Sequence, residues 1–367
     1  MGATHDGAAT ASPRGRALIA TTLVLTALFG VALRLDLASG ALSAGGLDFA
    51  NVRHAHSHLG FYGFLTLAWW SILREREALS LPRWLTPLHL GVVLVATVLF
   101  TTSGYVGSTI ALSTVVAGSW LYVAWRSRSA RGWLALAPWG VLAGTLIVPA
   151  IAVMARRDFA LSRQLAHVFV ALMVLWVFVP MALSTLRLPV VSRWAWLVTT
   201  AIGSTYLVFA GAGSEAGLSW PLGLFLSLAG ALLLVLLWRC RGQVLEWPRP
   251  LAFVWLMMAL GLVVLGLMPP LQIEATRLAA LHFTVLGPVT LTLWEHLAPE
   301  HSRHSPLVEV YLLALLVMVS AMVLGPLGVL AYDLAMDVAL WAGVGLVASA
   351  VVAVLVSMLN PRRLRGA

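Results

Sequence analysis

Apolar residues in this chain come in long unbroken runs, separated by short stretches that hold most of the charge and many of the turn formers. The runs fall at 17–38, 54–73, 84–103, 107–125, 133–154, 164–186, 194–213, 216–238, 250–271, 278–297, 307–332 and 338–359. Each is near the roughly 20 residues that carry an α-helix across a bilayer. None alternates residue by residue, as a strand of a transmembrane barrel must. The pattern predicts an all-α polytopic membrane protein with about 12 transmembrane helices. Residues 84–125 carry no charge at all. That is too long for one span, and Ser103-Gly104-Tyr105-Val106-Gly107-Ser108 supplies the turn that divides it. The first run follows Arg14 and Arg16 as the core of a signal peptide would, but it is too long for one and reads as a span. The loops are short, so residues 1–367 are expected to form a single transmembrane domain. Short cytoplasmic tails are expected at 1–16 and 361–367.

Composition agrees: 60% of residues are hydrophobic and 10% charged, with a mean hydropathy of +0.94. A soluble domain carries about 25% charged residues, so a water-soluble globule is excluded, and so is a disordered chain. All 23 basic residues are Arg. With no Lys, neither Schiff-base chemistry nor a Walker lysine is available. The net charge of +9 would suggest nucleic acid in a soluble chain. No basic cluster interleaves with aromatics here, so nucleic acid is not an expected partner. The arginines set topology instead. With the N-terminus inside and twelve spans, 17 lie on the cytoplasmic side and six outside: Arg34, Arg53, Arg156, Arg157, Arg163 and Arg277. This is the bias of a multi-pass protein of the cytoplasmic (inner) membrane with both termini cytoplasmic. The lone Cys240 leaves no intramolecular disulfide and no multi-cysteine metal site.

An internal repeat carries the candidate chemistry. The second run reads Arg53-x4-His58-x4-Gly63-x2-Thr66-x3-Trp70, and the tenth reads Arg277-x4-His282-x4-Gly287-x2-Thr290-x3-Trp294. The sixth offers a looser copy, Arg163-x3-His167 with Trp176 further on. The three histidines recur four spans apart. This spacing predicts three four-helix units in a pseudo-threefold arrangement.

All three even-numbered helices run from outside to inside, so His58, His167 and His282 share one depth, about 6–8 Å below the Arg level by helix rise. An ionisable group at that depth is a functional-site hypothesis, and imidazole is the usual protein ligand for haem iron and for copper. The alternative is an imidazole bonded to a neighbouring helix. His54, His56 and His58 open the second helix. His54 and His58 share a face, while His56 points about 200° round. The cluster is compatible with a copper site at the outer mouth, with a single ligand, or with solvated interfacial histidines. Arg53, Arg163 and Arg277 read either as interfacial anchors or as partners of haem propionates through bidentate pairing. His89, near the start of the third run, and His296, His301 and His304, near the end of the tenth, are expected about 20 Å from that outer plane.

Twelve spans, inside termini, a pseudo-threefold repeat and outward-lying histidines on helices two, six and ten resemble the catalytic subunit of the haem-copper oxidases. The resemblance implies an oxidase-subunit-I-like fold, with His58 and His282 as haem ligands and His167 as a copper ligand. The chain departs from that pattern on helix seven, which has no histidine pair (Tyr206 is the nearest candidate). It departs again around His282, where Ala280, Leu281, Phe283 and Thr284 stand. The oxygen-reducing centre is therefore incomplete. His54-Ala55-His56 followed by Gly60 and Gly63-Phe64, with Leu281-His282-Phe283-Thr284-Val285-Leu286-Gly287 later on, is also similar to the NnrS family. These are twelve-span haem- and copper-containing proteins linked to nitric oxide stress; the Glu-Met that follows their His-Ala-His is Ser57-His58 here.

The expected function is binding of haem, copper or both in a nitric oxide or other diatomic-gas response, or in membrane electron transfer; if catalytic, it is an oxidoreductase. A secondary transporter with internal repeats and a non-catalytic, metal-handling assembly subunit are the competing readings. Expected partners are the lipid bilayer, an electron-donor protein or quinone, and further copies of the chain in an oligomer.

Overall fold

The computed structural model describes residues 13–77, 79–190, 194, 196, 197, 200, 201, 219–243, 249–266, 274–297 and 306–359. Every regular element among them is helical. The helices are α1 (Pro13–Ser39), α2 (Phe49–His58), α3 (Thr66–Arg76), α4 (Leu85–Ser103), α5 (Gly107–Arg126), α6 (Ala137–Arg157), α7 (Phe159–Met173) and α8 (Val179–Thr185). They continue with α9 (Ser219–Arg239), α10 (Arg249–Gly266), α11 (Glu274–Thr284), α12 (Thr290–Leu297), α13 (Pro306–Leu324) and α14 (Tyr332–Leu359). Among the described residues, seven helices are long and apolar enough to cross a membrane, and shorter apolar helices lie at Arg249–Gly261 and Leu278–Trp294. Large apolar side chains such as Leu146, Phe225, Leu228 and Trp341 stand exposed, as suits a surface wetted by lipid. The chain is a multi-pass membrane protein, helical in every regular element among its described residues.

Helix ends follow local chemistry. Asp48 caps α2 by accepting from the Asn51 amide at 2.9 Å, and Asp158 caps α7 by accepting from the Leu161 amide at 3.0 Å. The helix carrying His58 therefore starts at Phe49 rather than at residue 54, where the apolar run begins. The uncharged stretch 84–125 is divided where expected, between Ser103 and Gly107. The eleventh apolar run, 307–332, is one helix only to Leu324 (α13), and a turn follows from Gly325 through residue 330. The seventh run (194–213, with Tyr206) lies almost wholly outside the described residues. So do residues 1–12 and 360–367, His301 and His304, and the side chains of Arg277 and His296.

Two compact units are present. The first comprises residues 1–127 with 293–307 and 347–367. In it α1 and α4 pack on the helix that carries His58, and α5 packs on α4. Its core holds Leu59, Phe64, Trp69, Trp70 and Phe100, all with at most 2% exposure. The second comprises residues 128–292 with 308–346. Here α6 pairs with α7, and α10 packs on α9 and α11.

Among the described residues, three helices contain a π turn: π1 (Leu59–Leu65) joins α2 to α3, π2 (Val174–Phe178) joins α7 to α8, and π3 (Val285–Val289) joins α11 to α12. These are the helices of His58, His167 and His282.

Candidate functional site

The first unit gathers its histidines around one turn. His54 and His58 lie on the same side of α2, and both meet Tyr105 from the α4–α5 turn. The His54 ring sits edge-on to the Tyr105 ring at 4.7 Å, and His58 Nε2 lies 2.8 Å from the Tyr105 hydroxyl. Phe100 stacks on the His58 ring at 4.2 Å, and Tyr62 approaches it at 5.0 Å. A tyrosine phenol has an ordinary pKa of about 10, and desolvation of the part of Tyr105 packed on the His54, His58 and Phe100 rings raises it, against the opposing pull of Arg53. The phenol thus stays protonated through the physiological range and donates to Nε2, which leaves the His58 proton on Nδ1.

Gly104 makes this turn. Its φ of 64° and ψ of −145° belong to a region that is essentially glycine's alone, and a Cβ there would collide with the Asn51 side chain. His56 faces the other way, as its position on the helix requires. Its Nδ1 donates to the Thr26 carbonyl of α1 at 2.9 Å, and its ring sits against Gly30. His54, His56 and His58 therefore do not converge. Among the described residues no group of three or more His, Cys, Asp or Glu could hold a metal ion. Arg53 is exposed.

In the second unit, His282 is half-buried and its Nδ1 donates to the Leu278 carbonyl at 2.8 Å. The next residue, Phe283, packs on Trp255 at 5.0 Å. His167 is half-buried on α7 and Arg163 is exposed.

The repeat acquires a structural meaning at the π turns. The amide of Thr66 reaches five residues back to Phe61, that of Thr290 to Val285, and that of Val179 to Val174. Each passes over the carbonyl four residues back, so Tyr62, Leu286 and Leu175 lose their usual helical donor. A buried carbonyl cannot be left unmade without cost, and each of the three receives a side-chain donor from further along the chain. His89 Nε2 donates to the Tyr62 carbonyl at 2.7 Å, the Tyr311 hydroxyl to Leu286 at 2.7 Å, and the Trp196 indole to Leu175 at 2.8 Å.

The motif residues support the same turns. The Thr66 hydroxyl donates to Phe61 at 2.7 Å and the Thr290 hydroxyl to Val285 at 2.9 Å, both again five residues back. Gly63 admits Thr22 of α1, and Gly287 admits Trp255 and Leu315. Trp70 packs on His89 at 4.6 Å.

Sequence reasoning therefore set His89 apart from a neighbourhood to which it belongs. Helix rise placed it about 20 Å from the outer plane, yet it bonds the π turn that immediately follows His58. Tyr62, whose carbonyl it meets, stands only one helical turn beyond His58. Tyr105, Phe100 and Tyr62 went unrecognised as neighbours of His58. The Gly-x2-Thr half of the repeat was their only signal, and it was legible as spacing but not as a π turn.

Tyr105→Phe keeps the ring and removes the donor. Freeing the Nε2 lone pair from a hydrogen bond of about 0.5–1.5 kcal/mol is expected to speed modification of His58 by roughly 2–10-fold. Diethyl pyrocarbonate labelling read by peptide mass spectrometry checks this; an unchanged rate would show that the bond does not hold the imidazole.

Set against known proteins, the chain matches no family model, and no curated protein matches it.

Proposed function

We propose that this chain is an integral membrane protein of haem-copper-oxidase-like fold that binds haem, copper or both, with about twelve spans in three four-helix units. It serves nitric oxide or other diatomic-gas response, or membrane electron transfer, from the cytoplasmic membrane with both termini inside. The observation that carries this reading is the paired one: His58 and His282 each stand one helical turn before a carbonyl released by a π turn, in helices of the same motif. π turns inside α-helices are frequent at functional sites.

The donor chemistry fits the group. Donation from Nδ1 to the Leu278 carbonyl leaves Nε2 as the ligating nitrogen of a neutral His282, the second-sphere arrangement usual for a metal-bound imidazole. At His58 the same nitrogen accepts from Tyr105, so a metal bound there displaces that hydrogen bond. On this reading His58 and His282 each ligate haem iron, and His167 takes copper. Arg53, Arg163 and Arg277 pair with propionate carboxylates. Bound haem supplies one-electron redox chemistry and an iron centre for a diatomic ligand. The aromatic rings of Phe100 and Tyr62 shield the His58 imidazole from water. The electron partner on this reading is a membrane quinone or a donor protein.

The visible spectrum and metal content of protein purified from membranes test the proposal. A Soret band is expected, and it should be lost or shifted in His58→Ala and in His282→Ala. Colourless protein without iron or copper would overturn the reading and favour a transporter.

A further inference from the structure

We propose that His89 and Tyr311 are positioning residues: by capping the carbonyls that π1 and π3 release, they fix the directions in which His58 and His282 point. The ligand roles of those two histidines rest on the reading above; the positioning role rests on the hydrogen bonds.

The argument begins with what a π turn does to a helix. It accommodates one extra residue, so the segments on either side keep a relative rotation that a continuous α-helix of the same sequence would not have. If π1 closed into an α-helical turn, the amide of Thr66 would return to Tyr62. The part of the helix bearing His58 would then rotate by about 100° relative to the part bearing Thr66 and Trp70. That rotation would carry the imidazole away from Tyr105 and Phe100. The two arrangements differ in who donates to the Tyr62 carbonyl: the Thr66 amide in one, His89 in the other. A carbonyl already occupied by His89 Nε2 at 2.7 Å does not call for the Thr66 amide, so the cap favours the π form.

His89 is well placed to hold this bond. It is buried to 2% exposure, and its Nδ1 lies 2.7 Å from the Ser119 hydroxyl of α5. With the proton on Nε2, Nδ1 faces that hydroxyl, whose single proton is shared with the Val116 carbonyl 2.6 Å away, so Ser119 ties the imidazole to α5. Trp70, the last residue of the motif, packs against the ring. In the second unit Tyr311, fully buried on α13, does the same for Leu286 through its hydroxyl. An imidazole and a phenol share no chemistry beyond a polar hydrogen on a rigid ring. That both meet the same carbonyl of the repeat, four residues after the histidine, identifies the donor as what the site requires. The Trp196 indole on Leu175 repeats the device at π2 with a third side-chain type.

The test uses the full-length protein in lipid, labelled with 15N-histidine and examined by solid-state NMR, with the His58 and His282 ring resonances assigned by their loss in the alanine variants. His89→Asn keeps a polar group near Ser119 but is too short to reach Tyr62. It is expected to shift the His58 resonances and leave those of His282 in place. Tyr311→Phe, which deletes one hydroxyl, is expected to shift His282 and leave His58. His89→Gln, whose amide reaches the position of Nε2, restores the His58 resonances. Folded variants that leave both histidines unmoved overturn the proposal, and so do variants that each disturb both histidines alike. If His89→Asn does not accumulate, Tyr311→Phe decides in the same way. Visible spectra of the same samples bear separately on haem: wild-type protein without a Soret band removes the haem reading while the crossed NMR shifts still decide the positioning role.

Discussion

Gly104→Ala is expected to be among the most damaging single substitutions in the first unit, although it adds only a methyl group. The backbone at φ 64° and ψ −145° costs a residue with a Cβ about 1–3 kcal/mol. The new Cβ would also strike the end of the Asn51 side chain, which can swing aside, whereas the backbone strain is relieved only by changing the turn. Relaxation moves the turn, and Tyr105, the next residue, moves with it away from His58 and His54. The expected result is a lowered melting temperature in detergent together with faster chemical modification of His58. Gly91→Ala is the reference, because a Cβ at Gly91 on α4 meets nothing within 4 Å and gains helix propensity worth about 1 kcal/mol. A Gly104→Ala protein as stable as wild type would show that the α4–α5 turn is not held in the glycine-only conformation.

The second large effect is expected at Gly140, where α6 crosses π2. A Cβ there would lie 2.8 Å from the Trp176 Cβ and 2.8 Å from a Val177 methyl, with the Trp176 carbonyl carbon at 3.3 Å. A Cβ is tied to the backbone and cannot swing aside, so the two helices must separate. Overpacking of this kind costs about 1–3 kcal/mol. Separation also pulls on the π turn itself, whose Leu175 carbonyl depends on Trp196 and whose Trp176 indole donates to the Thr200 hydroxyl at 2.7 Å. Gly140→Ala should melt well below Gly118→Ala, which meets nothing within 4 Å. Equal melting temperatures would mean that α6 and π2 are not in close contact.

These two glycines belong to no sequence motif. Gly104 was legible as a turn, because Ser103 to Ser108 interrupts a charge-free stretch too long for one helix. That its turn aims Tyr105 at His58 was not legible, since the two residues stand 47 positions apart. Gly140 was not legible at all: its importance comes from a helix crossing, and nothing local distinguishes it from Gly118. The histidines were easier. His54 and His58 share a face and His56 opposes it because a helix advances about 100° per residue, and the structure places them so, against Tyr105 and against Thr26. The link of His89 to this helix was not legible, because it is a hydrogen bond to the Tyr62 carbonyl made across 27 positions.

By itself the sequence determined that the chain is helical, apolar and membrane-spanning, and where most of its helices begin and end. Those properties are local: the length of an apolar run, a capping aspartate, a glycine beside a polar turn. It also determined that the helices of His58 and His282 repeat one pattern. Only the tertiary structure decided what the pattern is for. A π turn leaves one carbonyl without its helical donor, and it persists where another helix brings a polar hydrogen to that oxygen. His89, Trp196 and Tyr311 do so from 27, 21 and 25 residues away, with three different side chains. A shared motif cannot record a partner that differs in every copy. The spacing was therefore visible in the chain, while the π turn, and the direction it gives each histidine, arises only when the helices pack.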